Sequence, residues 1–245
     1  MKNPHIFDEL VGPFSKDRLH RYLHHTPSQN KTEALVSYSW NIELSQSLYP
    51  ALQIFEISLR NSLHQAISSY YKSNYWFNLP ILYRKEQVIL NLAKERVLKE
   101  NKELTASRII AELSFGFWTS LFDVRYEHHQ ILWPKLIKPT FPHLPKSQRT
   151  RSFLSCELNK IRRLRNRIFH YEPIWYWKDL LNQHEHLLRM IKFISPTSAL
   201  YLTTLDHFRD IHTMERSKIK KNIELIQNGL ETYTQAQQAD TEISH

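Results

Sequence analysis

Glycine is the residue this chain does almost without. Gly12, Gly116 and Gly229 are the only three in 245 residues. Tight hairpin turns depend on residues that accept a positive φ, glycine above all. So few glycines leave little provision for β-hairpins, and the chain is expected to be mostly helical. Hydrophobic residues make up 41% of it, enough to bury the core of one domain with room for an appendage. The lone Cys156 excludes an internal disulfide and points to a reducing compartment.

Caps, prolines and apolar spacing divide the chain into helices. Ser15 can cap a helix over 15–25, which carries His20 and His24 four residues apart. A metalloprotease helix would need glutamate at 21, where Arg21 stands, so these histidines read as a solvated face. A helix over 30–48 is expected to end at Tyr49-Pro50, with Pro50 opening the next, over 51–71. The aromatic stretch 73–83 reads as a surface-packed loop. Helices follow over 84–101 and 103–123, the second capped by Thr105, with Gly116 placed for a close helix approach. After a proline-rich linker at 141–146 come helices over 147–170 and 175–194. The longest apolar run, 109–122, is interrupted by Glu112 and is shorter than the roughly 20 residues a membrane crossing needs, so no membrane span is expected.

The helix over 147–170 carries the most information. Leu154, Leu158, Ile161 and Ile168 lie on one face. Position 165 falls in the gap of that stripe, and it holds arginine. Asn166 follows, and His170 is one turn beyond Asn166. Pro173 disfavours helical geometry at Glu172, so the helix should stop near His170. The helix over 51–71 repeats the pattern. Leu52, Leu59 and Leu63 form a stripe, Glu56 sits inside it, and Arg60 and Asn61 follow.

Two readings of these charges stand side by side. In one, Arg165 snorkels, Glu56 pairs with Arg60 one turn away, and His170 merely caps a helix C-terminus. In the other, Glu56 and Arg165 face each other across the core and the carboxylate orients the guanidinium.

Net charge is +9. An excess of that size suits an anionic partner, nucleic acid before a membrane surface. The densest basic cluster is Arg149, Arg151, Lys160, Arg162, Arg163 and Arg167, on and beside the same helix. A phosphate backbone would be drawn there, more weakly as salt rises. The chain has no Gly-rich phosphate loop, no Cys/His zinc spacing, no Gly-x-Ser-x-Gly elbow and no paired acidic cluster of a magnesium nuclease.

Arg165-Asn166, then His170 four residues on, then Tyr171-Glu172-Pro173-Ile174, resembles the arginine–histidine signature of the HEPN superfamily of small helical ribonucleases. The form is similar to its Abi-like (abortive infection, AbiD/AbiF-type) branch of bacterial phage defence. Glu56 to Asn61 (E-I-S-L-R-N), Glu112 to Trp118 (E-L-S-F-G-F-W) and Ile131 to Trp133 (I-L-W) also resemble that branch, in the same order. The likeness covers about residues 30–195. It implies an all-α, HEPN-like helical bundle with additional N- and C-terminal helices. The expected parts are a domain over 1–195, a helical hairpin over 196–233 and a disordered tail over 234–245.

The resemblance implies a metal-independent, cytoplasmic endoribonuclease of abortive-infection defence that needs no cofactor. RNA carries its own nucleophile, the 2′-hydroxyl beside each phosphodiester. Cleavage asks for a base, an acid and positive charge on the crowded phosphorane. An imidazole such as His170 can move the proton, and Arg165 can hold the phosphoryl oxygens. Asn166 can donate to phosphate or hold the imidazole. Glu56, Arg60 and Asn61 would support the site. One signature per chain supplies one proton-transfer group, and HEPN ribonucleases join two signatures in a composite cleft, so a homodimer is implied. The branch further implies association with a small structured RNA and kinship with RNA-guided type VI CRISPR effectors. A HEPN subgroup regulated by adenylylation carries tyrosine two residues after the histidine; Glu172 stands there, so that regulation is not expected. The alternative function is a non-catalytic HEPN dimer that holds a structured RNA. A helical protein adaptor is a third.

Overall fold

Side chains decide where most of the helices begin. Asn30 Oδ1 accepts from the Glu33 amide at 2.9 Å, and Ser114, Thr150 and Ser195 accept in the same way from Phe117, Phe153 and Ser198. Each cap satisfies an amide that the first turn of a helix leaves without a partner. In the computed structural model, which describes residues 5–214 and 216–243 (side chains to 233), the resulting elements are helical, and the described residues contain no strand. They are α1 (Ile6–Phe14), α2 (Lys16–Leu23), α3 (Lys31–Tyr71), α4 (Arg84–Lys99), α5 (Ala106–Glu112), α6 (Phe115–Ser120), α7 (Arg125–His128), α8 (Ile137–Thr140), α9 (Arg151–Phe169), α10 (Leu180–Ile194), α11 (Pro196–Leu202), α12 (Phe208–Thr213) and α13 (Ser217–Ile243).

The all-α expectation therefore holds, while several boundaries move. α3 does not break at Tyr49-Pro50. Pro50 removes one amide and frees one carbonyl, yet Leu44, Leu48, Ala51, Leu52 and Phe55 are all buried. The apolar stripe continues through the proline and keeps the helix going. The helix expected over 103–123 is two, because Leu113 leaves helical geometry (ψ 126°) and Ser114 caps a fresh start. α10 begins at Leu180 rather than 175. The Ile174 and Trp175 amides bond the Asn41 side-chain oxygen, at 2.7 and 3.2 Å, in place of helical carbonyls. α1 precedes the expected N-terminal helix, which Ser15 caps as expected. Gly116 does not admit a close neighbour: a Cβ there would meet only Ser114 Oγ, at 3.6 Å.

The chain divides into two compact units. The first comprises Met1–Ser47, Pro173–Trp177 and His207–His245. Its core gathers Phe7, Leu19, Tyr22, Leu35 and Ile223, with Trp175 packed against them. The second comprises Leu48–Glu172 and Lys178–Asp206. The expected hairpin over 196–233 is thus shared out, with 196–206 in the second unit and the rest in the first. Of the expected tail, residues 234–243 continue α13, and 244–245 lie outside the described residues.

The second unit carries the candidate site. Trp76, Trp118 and Trp133 are fully buried in it. Trp133 donates to the Leu121 carbonyl at 2.7 Å and stacks on Phe122 at 4.4 Å. Glu86, with no exposed surface, accepts from the Tyr126 hydroxyl at 3.0 Å. His186 pairs with Glu157 at 3.2 Å and His184 with Asp206 at 2.9 Å. Two residues apart on α10, these histidines reach different neighbours, as their helical spacing requires.

Two stability measurements check this packing. Thr150→Ala should cost about 1 kcal/mol by removing the α9 cap, read as a lower urea midpoint. The second concerns His64, whose Nδ1 accepts from the Trp76 indole at 3.0 Å. Burial lowers its pKa below the ordinary 6.5. The unfolded imidazole therefore takes up a proton near pH 6.5 while the folded one resists until lower pH. That contribution to stability is present above 6.5 and is lost as pH falls from 6.5 through the lowered folded pKa. Urea midpoints taken from pH 7.5 to 5 should fall more steeply for the wild type than for His64→Asn.

Candidate active site

Two helices supply the charged residues. The buried positions of α3 run Leu52, Phe55, Leu59 and Leu63, and those of α9 run Leu154, Leu158, Ile161, Leu164 and Ile168. Phe55 and Leu164 fill the places that spacing alone assigned to Glu56 and Arg165. An apolar stripe advances by three or four, and in both helices the apolar neighbour enters the core. The charged residue then stands one position further round, with 25% of its side chain exposed in each case. Glu56 and Arg165 thus stand at the rim of the core, where some hydration remains and the cost of desolvating a charge is smaller.

They do meet across the two helices. Arg165 Nε donates to Glu56 Oε1 at 2.9 Å. The Arg165 guanidinium also lies 4.1 Å from the ring centre of Phe169, one turn further along α9. Such a contact fixes the plane of the guanidinium and adds about 0.5–1 kcal/mol where water still reaches. Phe169 in turn lies 6.0 Å from the Tyr49 ring of α3. Arg60 donates to Asn61 Oδ1 at 3.2 Å, so Glu56 takes its arginine from α9.

Beside the pair is an open cavity of about 240 Å³. Glu56, Arg60 and Arg165 give it charge, and Phe115, Trp118 and Phe169 give it aromatic walls. With one carboxylate and two guanidiniums among these residues, the wall favours an anion or a polar aromatic group. Asn61, Asn166 and His170 do not line it. His170 is the C-cap of α9 (φ −95°, ψ 10°), its amide bonded to the Asn166 carbonyl at 2.9 Å, and both side chains are exposed. The arginine and the imidazole therefore share one helix end but not one cavity. His64, one turn beyond Arg60 on α3, is half-buried and accepts from the Trp76 indole through its Nδ1.

The six basic residues separate into two kinds. Arg149 donates to the Leu144 carbonyl at 2.9 Å. Arg151, with 14% of its side chain exposed, bonds Glu127 at 2.8 Å and the Phe122 carbonyl at 3.2 Å. These two tie the start of α9 to neighbouring segments. Arg167 forms a 3.4 Å pair with Glu172 just beyond the helix. Lys160, Arg162 and Arg163 are exposed. Lys160 contacts Glu157 at 2.6 Å, and that hydrogen bond raises its pKa. Arg162 donates to Asn159 at 3.0 Å. The basic surface next to the site is narrower than the count of charges suggests.

Sequence reasoning missed the part played by 111–118 as the far wall of the cavity. Ser114, Phe115 and Trp118 line it, although this segment reads as the middle of one structural helix. The available signal was the cap: a serine before an aromatic run marks a helix start, and a start at 114 places a loop beside Glu56. Among the described residues, no three histidine, cysteine or carboxylate side chains are grouped to hold a metal ion. No described helix is long and apolar enough to cross a membrane. No family model, curated protein or solved structure matches the chain.

The cross-helix pair predicts a measurable coupling. In a double-mutant cycle of Glu56→Ala and Arg165→Ala, urea unfolding should return an interaction of about 1 kcal/mol, the upper range for a partly exposed pair. Strictly additive losses would mean that the two side chains do not act on each other.

Proposed function

We propose that this chain is a metal-independent endoribonuclease of the Abi-like branch of the HEPN superfamily. It acts in cytoplasmic phage defence as a homodimer. One observation carries the reading: Arg165 is oriented by Glu56 and Phe169 at the terminus of the helix that also displays Asn166 and His170 to solvent. A guanidinium fixed on two sides loses little freedom when it takes up a phosphate. An imidazole at an exposed helix end is open to a large substrate.

The chemistry then follows from RNA itself. His170 removes the proton of the 2′-hydroxyl, which attacks the adjacent phosphorus. Arg165 neutralises the charge that builds on the phosphorane oxygens. The 5′-oxygen leaves as it takes a proton, and the ends are a 2′,3′-cyclic phosphate and a 5′-hydroxyl. A base and an acid are both required, and the second imidazole comes from the second chain. Asn166 donates to a non-bridging oxygen. Arg162 and Arg163 hold the flanking phosphates.

A second reading has its own support. His170 does not line the cavity that Arg165 lines, as befits a dimer that grips a structured RNA without cutting it. The two readings part on one experiment. Single-stranded RNA incubated with the wild type in excess EDTA should be cut, and His170→Ala should lose roughly 100-fold or more of that rate while keeping its affinity. Arg162→Glu with Arg163→Glu should weaken binding under either reading and flatten its salt dependence. Cutting that stops in EDTA, or that survives His170→Ala unchanged, removes the nuclease proposal. Binding with no cutting leaves the RNA-holding dimer.

A further inference from the structure

Two guanidiniums, one carboxylate and several aromatic rings border a cavity that His170 does not line. Arg60 gives its Nε to Asn61 at 3.2 Å, and Arg165 gives its own to Glu56 at 2.9 Å. A guanidinium carries several N–H donors and a carboxylate several lone pairs. One bond each therefore leaves donors on both arginines and acceptor capacity on Glu56. Phe115 and Trp118, both buried, and the half-exposed Tyr49 ring line the same space. A simple anion fits this set poorly. It has no flat face for the rings and no N–H for the carboxylate, and the Glu56 charge opposes it. A flat group with acceptors on one edge and donors on another matches every part of the wall.

Volume and hydrogen-bond pattern narrow the choice. A cavity of about 150 Å³ holds a benzene ring. The volume here is about 240 Å³, which suits a fused two-ring base. Among purines, adenine presents one acceptor and one donor side by side, N7 and its N6 amino group, whereas guanine presents two acceptors, N7 and O6. A guanidinium only donates, so the adenine amino group would meet it donor to donor. The N1–H and N2 amino group of guanine need an acceptor, and a carboxylate is one.

We propose that the cavity is a guanine pocket, in which Arg60 reads N7 and O6 and Glu56 accepts from N1–H and the N2 amino group. The inference rests on the RNA-directed reading of this site but not on its being catalytic. It also accounts for an arginine and an imidazole that share one helix end but not one cavity. With the base inside, the ribose carries its phosphate outside, where His170 is exposed. Arg60 is thereby a specificity-determining residue: it settles which nucleotide of a strand lies next to the imidazole.

The test uses the full chain and a fluorescent oligouridine with one central guanosine, with affinity read by anisotropy at fixed salt. Its 2′-oxygens are methylated, which removes the nucleophile, and cutting is read separately on the unmodified strand. Adenosine in place of guanosine should weaken binding roughly 10-fold, the range of one bidentate base contact. So should 7-deazaguanosine, which lacks only the N7 acceptor, and inosine, which lacks only the N2 amino group. Arg60→Met should bind the guanosine and 7-deazaguanosine probes equally, with the urea midpoint of the wild type. Free guanosine monophosphate should displace the probe at concentrations where adenosine monophosphate and inorganic phosphate do not. Equal affinity of the wild type for the guanosine and adenosine probes overturns the pocket and leaves the nuclease reading standing. So does a 7-deazaguanosine penalty that persists in Arg60→Met, or displacement by inorganic phosphate as effective as that by guanosine monophosphate. A wild type that selects guanosine but never cuts upholds the pocket and overturns catalysis. A wild type with no affinity for any of these probes overturns both.

Discussion

A single ion pair between two helices fixes the geometry of the candidate site. Glu56 and Arg165 lie 109 residues apart in the chain and come within 2.9 Å. Neither residue could hold its orientation alone at a surface where a quarter of it meets water. The pair, together with the Phe169 ring under the guanidinium, converts a flexible side chain into a fixed one. α3 and α9 are the frame for that pair. Their buried stripes, through Phe55 and Leu164, set how far round each helix the charges emerge. The helix terminus and the exposed imidazole belong to α9, and the cavity wall is completed by the segment 111–118.

Much of this was legible in the sequence, though partly for the wrong reason. Glu56 and Arg165 were singled out as charges inside apolar stripes. They are charges at the edges of stripes, because Phe55 and Leu164 take the interior places. Spacing could not tell the two cases apart: from Ile161 both +3 and +4 stay on one face. The pairing survived the error because a residue at the rim is still near the partner helix. Helix existence was equally readable, and helix ends were not. The proline rule ends α3 at residue 50, but the buried leucines on either side overrule it. The amides of residues 174 and 175 are taken by Asn41, a partner that no local pattern announces.

Charge shows the same division between what a count can say and what only contacts can. A basic cluster of six invites a single electrostatic explanation. Arg149 and Arg151 instead spend their donors on a carbonyl of residue 144, a carbonyl of residue 122 and a carboxylate at 127. Those bonds join segments that meet only once the chain has folded. Lys160, Arg162 and Arg163 keep the exposure that a long-range field requires. Net charge therefore counts the cations of the molecule, while burial and pairing decide which of them stand open to solvent.

The distribution of backbone conformations has a consequence for how this protein could drift. None of the glycines adopts a positive φ, whereas Ser15, Ser28, Gln29, Lys72, Asn101, Gln130 and Tyr171 all do. Added Cβ atoms at Gly12 and Gly229 would meet nothing within 4 Å. The residues that tolerate left-handed geometry and the sites that demand it have come apart. Each mismatch is a position where one codon change could raise thermal tolerance without touching a core contact. A lineage pressed by heat would be free to adjust them one at a time, so their persistence in a descendant would mark the positions where something other than folding is under selection.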